Sequence, residues 1–307
     1  MNRNILIVGI LSITLATACT EGIDIDLNEG ENNRLVVAGE ITNEPGPYSV
    51  RLTRSTSYFY NQPAPAELGA KVTISDGVQT LVLTDDDNDG TYWTDSSARG
   101  VPGRTYTLDI ELTNGETYTA VDHMPIPNRF DTIYYKYVNE EYGLTLPQYH
   151  YFFYASFTEQ KGVDDCYLIY VYFNDSCYNS KFEDVKWAYA GSMYDGCGVF
   201  KDIQICDANE DSIPPRPEAR FDLFSISPEY RQFIKDMSDE TFGNSTILQG
   251  PPANIYTNVS NGALGFFSAK STTEPYRLKL EPRKEWRKRM LKRIEIQPVK
   301  QRRVSTC

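Results

Sequence analysis

The sequence predicts a mainly β protein of two β-sandwich domains, the first immunoglobulin-like and the second carrying a short helical insertion. Three observations carry this reading. Short β-rich runs separated by turn signals recur from Arg34 to about Asp122. Aromatics make up 13% of the chain, with 22 Tyr among them, and such residues favour strands. No convincing helix interrupts the first set of runs. At 307 residues, 40% of them hydrophobic and 23% charged, the chain has the length and composition to fold about two cored domains. A mean hydropathy of -0.46 excludes a polytopic membrane protein.

The elements follow in order. Leu35–Ile41 and Tyr48–Thr53 are strands. Lys71–Ser75 alternates strictly, and Asp76-Gly77 supplies a favoured hairpin turn into Thr80–Leu83. Asp89-Gly90 turns into Thr91–Trp93, Pro102-Gly103 leads into Thr105–Ile110, and Asn114-Gly115 leads into Thr117–Ala120. Strands at this spacing predict a Greek-key sandwich over residues 34–123. The prolines of Met124-Pro125-Ile126-Pro127 mark a linker, since they disfavour both helix and central strand. A second β-rich domain spans 128–276, with strands at Thr132–Val138, Tyr149–Phe157 and Cys166–Phe173. In the last, Tyr167, Ile169, Val171 and Phe173 share one face. Ser227 as N-cap, Pro228 at the first helical position and an apolar stripe at helical spacing predict a helix running to Met237.

The N-terminus reads as an address. Arg3, the apolar run from Ile5 to Leu15 and the small residues Ala16-Thr17-Ala18 form a signal peptide over residues 1–18, too short to span a bilayer. Cys19 directly after them resembles a lipobox cysteine, with Ala16 in place of the usual Leu. A thiolate there is the natural nucleophile for lipidation, and acyl chains anchor a protein without a transmembrane helix. Ordinary secretory cleavage beside a chance cysteine is the alternative. Residues 19–33 form an acidic tether whose start, Thr20 to Asp26, resembles the surface-export stretch of Bacteroidetes lipoproteins. The expected location is the outer membrane, lipid-anchored and facing the cell surface.

The net charge of -12 is unevenly spread. Residues 270–307 carry a balance of +9 and the remainder -21. An acidic body argues against nucleic acid as a partner. The basic tail, 277–307, places Trp286, Met290, Leu291 and Ile294 at helical spacing. It reads as an amphipathic helix on anionic lipid, a solvated tail, or a sequence end read out of frame.

Several phrases in order resemble a Bacteroidetes outer-membrane lipoprotein family, domain of unknown function 4249. They are Leu35–Thr42, Pro45–Leu52, Gly69–Val72, Asp89–Tyr92, Pro102–Leu108, Leu248–Pro252, Asn258–Gly262 and Gly265–Ala269. The resemblance covers about Arg34 to Ser271 and supplies no catalytic residues. It implies a lipoprotein encoded beside TonB-dependent receptors, hence an accessory role in uptake with such a receptor as partner.

Candidate sites are few. Asp85, Asp87 and Asp89, followed by Gly90, have the spacing of a calcium loop, although Ser96 stands where the closing Glu belongs. An acidic hairpin tip is the alternative, and calcium is the one cofactor suggested. Cys166, Cys177, Cys197 and Cys206 cluster in one domain of an exported chain, which fits two disulfides in any of three pairings. A metal site is the alternative, and Cys307 is left odd. Thirteen Tyr fall between Tyr134 and Tyr194, fit for a glycan platform, a partner interface or simply strand packing. Thr132 and Ser212, each preceded by Asp and followed by Ile, resemble a short O-glycosylation signal. Trp187, His150, Asp164 and Asp165 fit no catalytic motif, so the expectation is a non-enzyme. The expected function is an accessory or binding subunit of a TonB-dependent nutrient uptake system. A stand-alone glycan- or peptide-binding lipoprotein and an adhesion or structural surface protein are the alternatives.

Overall fold

A computed structural model describes residues 33–56, 62–140, 148–158, 166–178, 188–190, 199–209, 213, 217–242 and 255–280. The protein is mainly β. Its strands are β1 (Leu35–Thr42), β2 (Ser49–Arg54), β3 (Lys71–Ser75), β4 (Thr80–Leu83), β5 (Thr91–Trp93), β6 (Thr105–Glu111) and β7 (Thr117–His123), then β8 (Thr132–Glu140), β9 (Gln148–Thr158) and β10 (Cys166–Phe173). The predicted strands match these ten with small shifts at their ends. Six more follow: β11 (Ser176–Cys177), β12 (Ala188–Ala190), β13 (Val199–Asn209), β14 (Glu218–Ile226), β15 (Leu264–Thr272) and β16 (Tyr276–Lys279). The helix α1 (Pro228–Phe242) begins at the predicted cap and runs past the predicted end.

Three sheets result. The largest runs β11-β10-β14-β15-β1-β2-β5, with β12 added on β10 and β16 on β14. A four-stranded sheet runs β4-β3-β6-β7, and a three-stranded one β13-β9-β8. Alternation explains how they cover one another. Val37 and Ile41 of β1, Val50 and Leu52 of β2 and Phe267 of β15 are buried in one cluster with Val72 and Ile74 of β3 and Leu108 and Ile110 of β6. A second cluster joins Tyr167, Ile169, Val171 and Phe173 of β10, the face expected from the sequence, to Phe153, Ala155 and Phe157 of β9 and Phe221 of β14.

The two cores divide near the expected boundary, between Met124 and Phe130, but one segment crosses it. β15 belongs to the first core, not to a separate second domain: it pairs in parallel with β1, from Val36↔Leu264 to Thr42↔Lys270. Val259, Ala263, Phe267 and Ala269 are buried with the first-core residues. β15 also pairs with β14, at Phe224↔Thr272 and Ser225↔Ser271, so one sheet runs through both predicted domains. The proline linker is likewise part of the fold. Met124 is fully buried, the Ser271 hydroxyl donates to the Pro125 carbonyl (2.6 Å), and the Asn128 amide nitrogen donates to the Tyr167 hydroxyl (2.8 Å). The tail begins later than expected, because β16 pairs with β14 and Leu280 is buried in the second core. Residues 281–307, the signal peptide and the tether up to residue 32 lie outside the described residues.

Two local devices hold this arrangement. Asp76 closes the β3–β4 hairpin: its Oδ1 accepts from the amides of Val78 (2.9 Å) and Gln79 (2.8 Å), and Arg104 donates to its Oδ2 (2.6 Å). Burial alone would raise this carboxyl, but the two amides and the guanidinium outweigh it and hold the pKa at about 2. Gly265, at the start of β15, has φ +91°. A Cβ there would lie 1.9 Å from the Val37 carbonyl oxygen, so only glycine lets β15 approach β1.

Replacing Gly265 with Ala is expected to cost about 3 kcal/mol or more in urea-unfolding experiments, or to prevent folding. Asp76→Ala is expected to cost about 1–2 kcal/mol at neutral pH. Because the Asp76 carboxyl is depressed in the folded state, its contribution is complete above the unfolded pKa and is lost as pH falls toward 2. The gap between wild type and variant should therefore close in that acidic window.

Candidate functional site: an apolar groove under the helix

The parallel register sets the outward residues of β1 and β15 side by side. Val36 lies opposite Leu264, Ala38 opposite Phe266 and Glu40 opposite Ser268. Helix α1 lies over this face. Ser227 caps it, accepting from the Tyr230 amide (3.0 Å). The rings of Tyr230 and Phe233 pack on Phe266 at 5.1 and 5.2 Å between centroids. Between helix and sheet is a half-open groove of about 570 Å³, in the size range of small-molecule sites. Met237, Ile255 and Leu264 line its apolar part, and Glu40, Ser49 and Ser268 its polar part.

Beside the groove is a buried charge. Lys270, 5% exposed, donates from Nζ to Glu40 Oε2 at 2.7 Å. Its ammonium also sits 5.0 Å from the Phe224 ring centre and 5.8 Å from that of Tyr170. Burial works against the charged form, but the Glu40 carboxylate holds the ammonium above the usual lysine range. Burial pushes the hydroxyls of Tyr170 and Tyr230 up. Lysine and glutamate thus form a charged pair ringed by neutral aromatics.

A second buried group lies at the start of the helix. Asp122, on β7, is 4% exposed and accepts from the Ala269 amide at 2.6 Å. Its carboxylate also hydrogen-bonds the Ser227 side chain, so one residue joins β7, β15 and the helix cap. Burial, opposed by these hydrogen bonds, pushes its pKa up to about 7.

The residues singled out in the sequence fare differently. Asp85 and Asp89 are engaged with their own turn. Both Asp85 carboxylate oxygens accept from their own turn, from the Asp89 amide (3.1 Å) and the Gly90 amide (3.0 Å), and Asp89 Oδ1 accepts from the Thr91 amide (2.8 Å). Among the described residues no three metal-ligating side chains converge. The acidic run is a hairpin tip whose carboxylates replace missing backbone partners.

The described residues lend the two-disulfide framework no support. Two bridges among four cysteines must include one that does not use Cys197, and no bridge joins any two of Cys166, Cys177 and Cys206. Cys166 packs with Leu168 and Ile226 toward α1. Cys177 is paired with Tyr172, six residues further along β10, or about 20 Å at strand rise, far beyond disulfide reach. Cys206 points into the second core, across the sheet from both. Cys197 and Cys307 lie outside the described residues, as do Cys19, Ser212, Asp164, Asp165 and Trp187.

Thr132 is exposed at the start of β8, next to buried Ile133. His150 pairs with Asp207 at 2.7 Å, but the adjacent Cys206 points to the opposite side of β13. The tyrosines divide by strand parity. Tyr137 and Tyr151 are buried, whereas Tyr134 and Tyr154 stack on the other face (5.3 Å, 15°) with Lys136 4.4 Å from the Tyr154 ring centre. Sequence reasoning missed Glu40, Lys270 and Asp122. Each is one polar residue in an ordinary strand pattern, and only pairing between distant segments gives it a role.

The protein is mainly β, with two buried cores and, between helix and sheet, a groove of a size that suits a small molecule. The family model for the domain of unknown function DUF4249 matches residues 20–275, and the chain belongs to that family. No curated protein matches it.

Asp122 yields a pH prediction. Its pKa is higher in the folded than in the unfolded state, so its favourable contribution is complete below the unfolded value near 4 and is lost as pH rises to about 7. Asp122→Asn should flatten this part of the stability profile, so that the variant gains on wild type between pH 4 and 7. Chemical denaturation across that range checks it.

Proposed function

We propose that this protein is a lipid-anchored, surface-facing outer-membrane protein that serves as accessory or binding subunit of a TonB-dependent nutrient uptake system. The observation that carries the binding role is the groove under α1, whose walls are largely apolar and whose lining carboxylate, Glu40, is held by Lys270 beside it. Such a site binds rather than reacts. The lipobox-like Cys19 supports the anchor, and confinement to a membrane plane raises the effective concentration near an integral partner. Resemblance to lipoproteins encoded beside TonB-dependent receptors supports the choice of partner.

A second reading, a stand-alone glycan- or peptide-binding lipoprotein, is favoured by the stacked Tyr134–Tyr154 pair on the outer face of the three-stranded sheet. Aromatic faces of this kind suit stacking ligands.

Replacing Cys19 with Ser is expected to abolish fatty-acid labelling and to release the protein from the membrane fraction. A variant that still labels and pellets like wild type would rule the anchor out. Affinity purification of the tagged, lipidated protein is expected to recover a β-barrel transporter. Repeated recovery of no barrel, together with tight ligand binding by the isolated protein, favours the second reading.

A further inference from the structure

The groove has two unlike ends, and the parallel register fixes their order. At one end Val36 and Leu264 stand side by side on the floor; Met237 and Ile255 add to the apolar lining. Four residues along β1, about 13 Å away at strand rise, stand Glu40 and Ser268, with Ser49 on the neighbouring strand. Phe233 and Phe266 fill the middle. An occupant must therefore be amphipathic and elongated, with an apolar body and a single polar head.

The chemistry of that head follows from Glu40. One oxygen, Oε2, is bound to Lys270, yet the side chain remains 49% exposed and lines the groove. The Lys270 side chain is only 6% exposed, beneath the carboxylate and against the Phe224 and Tyr170 rings, so an occupant meets the carboxylate and not the ammonium. A carboxylate accepts hydrogen bonds and repels anions. We propose that the groove binds small amphipathic molecules with an apolar body and a hydrogen-bond-donating head, an amine or an alcohol, seated at Glu40, and that it rejects the corresponding acids. This deepens the binding reading and does not rest on the transporter partner, so a failure to recover a barrel leaves it intact.

Three probes share one body and differ in the head: 4-phenylbutylamine, 4-phenylbutanol and 4-phenylbutyrate. Each is titrated into the folded, isotope-labelled protein and followed by amide chemical shifts. The expected result is saturable shifts at β1, β15 and α1 with the amine and the alcohol, and binding at least about tenfold weaker with the acid. The ratio of amine to alcohol shows whether charge or donation dominates at the head. Ala38→Phe adds a ring to the exposed floor and is expected to abolish binding at unchanged thermal stability. Should it fold poorly, Met237→Gln, in the apolar lining, is expected to weaken all binding probes together. Equal or tighter binding of the acid overturns the proposal. So does the absence of saturable shifts with amine and alcohol, and so does unchanged binding in a folded groove variant.

Discussion

The parallel pairing of β1 with β15 is the contact on which the rest of the structure depends. It joins the first strand of the fold to a segment more than two hundred residues later, and β15 then pairs with β14 on its other side. Without β15 the largest sheet would split, the first core would lose Phe267 and Ala269, and α1 would have no Phe266 to pack on. Such a contact closes a very long loop, with an entropic cost that grows only slowly with length. Seven registered residue pairs and a buried apolar face offset it. The approach is close enough that position 265 tolerates no side chain.

Polar side chains set the geometry where the two cores meet. Asn43 holds β15 at its end, accepting from the Thr272 amide (2.8 Å) and donating to the Thr272 carbonyl (2.9 Å). The Thr272 hydroxyl donates to the Leu223 carbonyl (2.9 Å), and the Asn128 amide donates to the Ser225 hydroxyl (3.1 Å). These bonds satisfy backbone groups that a bend between cores would otherwise leave without partners. They also tie the proline-rich segment to both sides.

The groove is a consequence of the same pairing. A parallel pair presents its outward residues in matching order, so apolar Val36 and Leu264 gather at one end and polar Glu40 and Ser268 at the other. Helix α1 roofs this face because its Ser227 cap hydrogen-bonds Asp122 and its aromatic stripe meets Phe266. Lys270 can keep its charge in the interior because Glu40 pairs with it directly and aromatic rings enclose the remainder.

Strand identity was legible wherever alternation and a turn signal coincided. Lys71–Ser75 with Asp76-Gly77, and the one-sided face of β10, follow from the sequence because each depends on neighbours only a few residues away. The capped start of α1 was legible for the same reason. β13 was not, since register shifts between Phe200 and Ile203 and between Gln204 and Cys206 break its alternation. The cysteines looked like a disulfide set because proximity in sequence says nothing about which face of a sheet each thiol occupies. The spacing of the aspartates after Leu83 is the same whether they face an ion or their own backbone amides, so the pattern alone did not show the turn bonds that they make. By itself the sequence determined the β class, most strand positions and the resemblance that the family match bears out. The tertiary structure alone decided that β15 joins the first core, the burial of Lys270 and Asp122 and the existence of the groove. These arise from pairing between residues far apart in the chain, which local pattern does not encode.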